Sequence, residues 1–367
     1  MRLIYLSPVP WTSFFQRPHK FVQWFHERYG QEVLWIDPYP TRLPKFSDFR
    51  RLNMKSLCCN KKPDWLTVLK PWALPIEPLL GSGYLHKLLW HNLFHILDEF
   101  VAAGNCQIGI GKPSKLALQI LERMPGCISF YDAMDKFSAV YEGLSRRSME
   151  KNERVLIKTV TKILVSSLAL QKFLKEYNSK VILVRNACSI DCLPPIPWFN
   201  KKQILQPPII GYIGTIAHWF DWSLVCNIAR QNPLMKVRLI GPIYTTLPSN
   251  LPKNIEIFPQ CDHEAAIKAM HDFSLGLIPF KQNELTASVD PIKYYEYIAI
   301  GLPVISTSFG EMAYRNELPG VFIIKEGLDL KKQVETALAY EPEPNALQAF
   351  RDANSWKRRF DSSGFLS

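Results

Sequence analysis

The chain has 367 residues, 47% of them hydrophobic, eight cysteines and a formal net charge of +11. That length allows two domains, each able to bury its own core, and no run reaches the roughly eighteen apolar residues that a membrane-spanning helix needs. The charge calls for an anionic partner or serves solubility, but no helix-turn-helix, zinc-finger or single-strand-binding pattern accompanies it, so nucleic acid is not an expected partner.

The cysteines point the same way. Cys58 and Cys59 are adjacent, Cys106, Cys127, Cys226 and Cys261 are scattered, and Cys188 and Cys192 have no second pair at zinc-site spacing. Buried free thiols are expected. Met1-Arg2-Leu3 opens into a strand without a signal-peptide pattern, so a cytoplasmic location is expected.

In chain order, Leu3 to Leu6 reads as a strand, Pro18 to Tyr29 as a helix and Glu32 to Ile36 as a strand. Further strands are expected at Cys106 to Ile110, Ile128 to Tyr131, Lys162 to Val165 and Val181 to Val184, with helices between. This βα alternation implies a parallel, doubly wound sheet with right-handed crossovers. The loop after the first strand, SPVPWTSFFQRPHK, contains no glycine, which weighs against a dinucleotide-binding dehydrogenase. His19 stands at the helix start within it, where a lone histidine is more often structural than a base.

A basic stretch follows, with Arg42, Lys45, Arg50, Arg51, Lys55, Lys61, Lys62 and Lys70 against only Asp48 and Asp64. One helix is expected from Ser82 to Phe100, with an apolar stripe of Leu85, Leu88, Leu89, Leu93, Ile96 and Leu97. The stripe fits packing on a sheet. Docking of the basic segment on an anionic membrane surface, on the inner face of the plasma membrane, is an added expectation. FYDAMDKF then puts Asp132 and Asp135 just past a strand. Two carboxylates so close can separate in pKa and supply a general base, or they can be caps or a structural pair. Ser166-Ser167 reads as a helix cap.

Prolines and Lys201-Lys202 mark a linker from Leu193 to Pro208, after which a second βα run begins. PIIGYIGTIAHWFDW is a strand entering a glycine-containing turn, where Gly211 and Gly214 let backbone approach an anion closely, and LIGPI places Gly241 at the same sheet edge. Strands are expected at Lys236 to Ile240, Ile255 to Phe258, Leu275 to Pro279, Val304 to Ser306 and Phe322 to Ile324. Within ELTASVDPIKYYEYIAIGLPVIS, Asp290 reads as an N-cap and Pro291 as a first-turn residue of a helix reaching Ile300. Lys293 and Glu296 then share one face near the helix start. The cation can neutralise a diphosphate and the carboxylate can accept from neighbouring sugar hydroxyls, or the two form an ordinary exposed ion pair.

DPIKYYEYIAIGLPVIS resembles the nucleotide-sugar signature of GT-B glycosyltransferases, in particular glycosyltransferase family four and its relatives, P-x-K-x-x-E-Y-x-A-x-G-x-P-V. The resemblance implies two doubly wound Rossmann-like domains facing across a cleft: 1–195 for the acceptor and 205–344 for the nucleotide sugar, with the tail 345–367 packing back on the first. It implies that Glu296 holds the nucleotide ribose. Ser288 stands where the family's first carboxylate lies, which leaves the stereochemical outcome open. The GYIGTIAHWFDW stretch resembles G-Y-x-G-x-I-x-x-W-x-D of a narrower group, and the Arg and Lys that grip the diphosphate in the wider family are absent from it. Asp290, Lys293, His218, Gly214, Thr215 and Gly241 are therefore the expected donor-binding set. Trp11, Arg17 and His19 resemble an acceptor-side W-x(n)-Q-R-P segment, and Y-D-x-M-D recurs at Asp132 and Asp135, so His19, Asp132 and Asp135 are the candidate catalytic residues.

The expected activity is sugar transfer from a nucleotide diphosphate-sugar to a saccharide or lipid-linked acceptor in bacterial surface polysaccharide or glycolipid assembly. With no Asp-x-Asp triplet, neither metal nor other cofactor is expected. Alternatives are a nucleotide-sugar epimerase and a non-catalytic sugar-nucleotide-binding scaffold subunit.

Overall fold

A computed structural model describes residues 1–44, 62–196, 207–325 and 327–365. The chain divides into two compact units, Met1–Val184 joined by the last residues from Ser363 on, and Arg185–Ser362. The change of unit thus comes earlier than the proline-rich stretch, of which 197–206 lies outside the described residues. Most of the tail, including helices Pro344–Ala353 and Trp356–Asp361, belongs to the second unit rather than the first.

The first unit carries strands β1 (Arg2–Leu6), β2 (Val33–Ile36), β3 (Leu66–Leu69), β4 (Cys106–Ile110), β5 (Ile128–Ala133), β6 (Lys162–Val165) and β7 (Val181–Leu183). They form one sheet in the order β3-β2-β1-β4-β5-β6-β7, with parallel pairing. The second unit has β8 (Ile209–Ile213), β9 (Lys236–Ile240), β10 (Ile255–Phe258), β11 (Leu275–Ile278), β12 (Val304–Ser306) and β13 (Val321–Ile323). Their order is β10-β9-β8-β11-β12-β13, again parallel. Both sheets reverse direction of growth beside their first strand, between β1 and β4 and between β8 and β11. In doubly wound sheets such a switch point, outside the carboxyl ends of the strands, is where ligands bind.

Burial explains why these strands read as continuous apolar runs. In the second sheet, Ile209, Ile213, Ile278 and Val304 pack into a core on one face, and Ile210, Tyr212, Leu277 and Ile305 into a core on the other. A parallel sheet covered on both faces needs apolar side chains in both directions.

Two elements differ from the sequence reading. β3 is not expected from the sequence, because LTVL lies inside the basic stretch, just before a proline-rich segment, and is too short for a clear period. The expected single helix from Ser82 to Phe100 is two, Ser82–Leu89 and His91–Ala102. Between them Trp90 is buried and its indole N–H donates to the Trp72 carbonyl at 3.0 Å. The break turns the stripe apart: Leu93 and Leu97 are buried, while Leu85, Leu88 and Ile96 are exposed. Lys45 to Lys61 of the basic stretch lie outside the described residues.

Candidate functional site

At the switch point of the second sheet, three segments meet. β8 ends at Ile213 and turns at Gly214, whose N–H donates to the Ile240 carbonyl at the end of β9 at 2.9 Å. Gly241 follows β9, and a Cβ on it would stand 2.1 Å from the Gly214 carbonyl oxygen. Gly214 and Gly241 have φ values of 149° and 144°, which side chains disfavour. Two turns therefore pack backbone against backbone, which only glycine permits.

The third segment is the helix Ile292–Ala299. Its Tyr297 hydroxyl accepts from the Ile213 N–H at 3.1 Å, which pins the helix to the end of β8. Lys293 then lies over the first glycine turn: a Cβ on Gly214 would stand 2.7 Å from its Cε. The Lys293 Nζ is 3.8 Å from the Glu296 carboxylate, with side chains 22% and 17% exposed. Both remain accessible to a ligand, and the separation is too long for a hydrogen bond. Thr215 is half-buried and its carbonyl accepts from the Tyr212 hydroxyl at 2.8 Å, which holds the turn from beneath. The structure thus gathers Gly214, Thr215, Gly241, Lys293 and Glu296. His218 is exposed and lies edge-on to Trp219.

Asp290 needs correction. The N-cap is Pro291, and Asp290 is a buried residue one step earlier. Its carboxylate takes the Arg315 guanidinium at 2.7 Å, the Tyr295 hydroxyl at 2.9 Å and the Asn186 N–H at 2.7 Å. Burial pushes its pKa up, and Arg315 is the largest of the partners that pull it back. With its acceptor sites taken from within the unit, Asp290 fixes the start of the helix instead of meeting donor. Arg315 also lies 3.9 Å over the Tyr294 ring. Ser288 is buried, with its hydroxyl donating to the Leu285 carbonyl at 3.1 Å.

In the first unit, Asp132, next to last in β5, is fully buried and ion-paired with Arg17 at 2.8 Å. The Tyr5 hydroxyl adds a bond at 3.1 Å, and Arg17 reaches on to the Val184 carbonyl at 2.5 Å. A carboxylate so enclosed, with Arg17 and Tyr5 on its oxygens, positions the start of the Arg17–Tyr29 helix and is closed to an acceptor. His19 is likewise enclosed: Nδ1 accepts from the Gln16 N–H at 3.3 Å, which leaves Nε2 to donate to the Trp11 carbonyl at 3.2 Å. Burial lowers its pKa to about 4, and Trp11, Phe15 and Trp35 surround the ring, so His19 is a structural residue. Asp135 differs. It is partly exposed, and burial raises its carboxyl to about 6 against the pull of Arg17. Of the candidate catalytic side chains it alone combines access with a pKa near neutrality, which suits a general base.

Two buried carboxylates escaped the sequence reading. Asp37 accepts from the Trp11 N–H and the Trp35 indole, each at 2.8 Å, and so shapes the first loop. Glu77 takes the Tyr39 hydroxyl, the Asn152 amide at 3.0 Å and the Lys115 N–H at 3.2 Å, and burial raises its pKa to about 7. Their partners lie 26 to 75 residues away or in unremarkable stretches, so nothing local marks them.

No family model matches the chain. TuaH of Bacillus subtilis strain 168, named as a glycosyltransferase of teichuronic acid biosynthesis, is 25% identical over 326 residues, covering 81% of this chain and 77% of TuaH. Among solved structures, sucrose-phosphate synthase from Thermosynechococcus elongatus is similar with a TM-score of 0.68 at 14% identity, over 100% of this chain and 98% of that one. The Anabaena protein HepE, solved with UDP-glucose, is similar with a TM-score of 0.59 at 13% identity, over 100% and 95% of the two chains.

Proposed function

We propose that this chain, a glycosyltransferase of the GT-B fold, moves a sugar from a nucleoside diphosphate sugar bound at the β8 and β9 carboxyl ends. The observation that carries this reading is the seat of Lys293 over the Gly214 turn, 3.8 Å from Glu296. Lys293 and the amides at the start of its helix receive the diphosphate beside the Gly214 turn, and Glu296 accepts from the ribose hydroxyls. As the glycosidic bond breaks, negative charge grows on the diphosphate leaving group, and a fixed cation with aimed amides stabilises that charge. No divalent metal takes part. Asp135 takes the proton of the acceptor hydroxyl, and the acceptor is a saccharide, free or lipid-linked, in assembly of a bacterial surface polysaccharide.

Calorimetric titration in EDTA with UDP, GDP and their nucleosides tests the donor site. Hydrogen bonds to a charged group contribute about 1.5–3 kcal/mol, so Glu296→Ala should weaken nucleotide and nucleoside alike by roughly ten- to a hundredfold, and Glu296→Gln less. Lys293→Ala should weaken the diphosphate selectively, with a salt dependence. Unchanged affinities in all three variants, or wild-type binding that returns only with added magnesium, would defeat the proposal.

The reading extends to the cytoplasmic face of a membrane. Among the described residues no helix is long and apolar enough to cross one. Yet Leu80, Tyr84 and Leu88 are largely exposed beside Lys87, an arrangement that supports docking on anionic lipid. Cosedimentation with anionic vesicles should fall with salt and with Leu88→Asp. Equal recovery with neutral vesicles would remove this part.

A further inference from the structure

The second unit holds a cavity of about 580 Å³ on the Tyr294, Tyr295 and Ile298 face of the Ile292–Ala299 helix. Lys293 and Glu296 project from the other face, so this is not the donor site. The volume falls within the roughly 300–1,000 Å³ of small-molecule sites.

Three guanidinium groups line it, and they are not equivalent. Arg185 is paired with Glu311 at 2.7 Å, and Arg315 with Asp290 at 2.7 Å. Arg359 has no carboxylate partner among the described residues. Its Nη2 donates to the neutral Asn354 side chain at 2.5 Å, and its Nε is buried with no acceptor. With no carboxylate beside it, the Arg359 guanidinium is the cation of the lining left for an anionic oxygen to pair. Around this cation stand aromatic rings. Tyr295 lies 5.9 Å from the Arg359 guanidinium but is only 2% exposed, so the ring open to the cavity is that of Tyr314, 66% exposed at its wall. The cavity therefore offers the exposed Tyr314 ring and one guanidinium without a carboxylate partner, with Glu343 also in its lining.

We propose that this cavity is a second saccharide site, which takes an acidic sugar with its carboxylate or phosphate on Arg359 and its ring face against Tyr314. Only the choice of a saccharide over other ring-bearing anions rests on the glycosyltransferase reading.

The test is titration of the full chain with digalacturonate, neutral galactobiose and glucose 6-phosphate, each with and without saturating UDP. Saturable binding of at least one acidic sugar is expected, at least tenfold tighter than galactobiose and unchanged by UDP or by Lys293→Ala. Digalacturonate alone, or glucose 6-phosphate alone, would identify the acid group. Arg359→Gln should weaken that binding at least tenfold, and Tyr314→Ala, at an exposed position, should weaken it too if the arginine variant does not fold. Binding of neither acidic sugar, equal binding of galactobiose, or loss of binding on adding UDP would each overturn the proposal. A chain that binds UDP but no acidic sugar fails this inference alone. The reverse fails the donor-site reading alone.

Discussion

Replacing Gly241 by alanine and Gly214 by alanine should have different consequences, because the two added methyl groups meet different neighbours. At Gly241 the new carbon would stand 2.1 Å from the Gly214 carbonyl oxygen, a main-chain atom that cannot swing aside. Overpacking costs about 1–3 kcal/mol and an unfavourable backbone conformation about 1–3 more, so Gly241→Ala should lose roughly 2–6 kcal/mol. At about 2–4 °C per kcal/mol for a unit of this size, the melting point should fall by roughly 4 °C or more. At Gly214 the obstacle is the Lys293 Cε at 2.7 Å, near the end of a flexible side chain. Lys293 moves, and the stability loss is limited to the backbone term of about 1–3 kcal/mol. Affinity for UDP suffers instead, by about tenfold or more, since a charge-assisted contact worth about 1.5–3 kcal/mol is displaced. Thermal melts and calorimetry on the two variants decide the matter. A Gly241→Ala protein within 0.5 kcal/mol of wild type, roughly the scatter of surface substitutions, or a Gly214→Ala protein with undiminished UDP affinity, would refute the packing argument.

Arg17→Met should cost about 3–5 kcal/mol in chemical denaturation, because it leaves the buried Asp132 carboxylate unpaired, and Asp132→Asn should cost less. Asp135→Asn should lower turnover at least tenfold with donor affinity intact; a change of only a few fold would place the base elsewhere. Glu77 has its pKa raised from 4.5 to about 7, so the folded state holds its proton where the unfolded state has lost it, and its contribution falls as pH rises from about 4.5 to 7. His19, lowered from 6.5 to about 4, acts in the opposite sense, favouring the folded state as pH rises from about 4 to 6.5. The two effects overlap, so the difference between wild type and Glu77→Gln is the measurement, with a slope amounting to about 3 kcal/mol across that window. A flat difference would contradict it.

Much of the strand plan was legible because a two-sided parallel sheet writes itself as short apolar runs: Cys106–Ile110, Lys162–Val165, Lys236–Ile240 and Val304–Ser306 all fall where the runs stand. Gly214, Gly241, Lys293 and Glu296 were also legible, since glycine turns after strands and an i,i+3 pair at a helix start are local patterns. What escaped is set by distant partners. Asp290 reads as a cap because it precedes Pro291, but Arg315, 25 residues on, draws it into the interior. Asp132 reads as a base because it follows a strand, but Arg17, 115 residues earlier, neutralises it. The Trp90 break was hidden because leucine spacing continues across it, and only the hydrogen bond to Trp72 shows why the helix turns there.

The assignment of the last residues to the first unit has a consequence for how the protein is made. Phe365 packs against Phe21 and Phe130 with ring centroids 6.0 and 4.7 Å away, and its carbonyl accepts from Lys162 at 2.7 Å. Between Val184 and Ser363 the ribosome must add about 180 residues, which takes roughly ten to forty seconds at about 5–20 residues per second. Through that interval the first sheet is complete in sequence, yet the aromatic seat of Phe21 and Phe130 stays uncovered. The second unit, continuous in sequence, has all of its residues before the first unit receives the ones that cover Phe21 and Phe130.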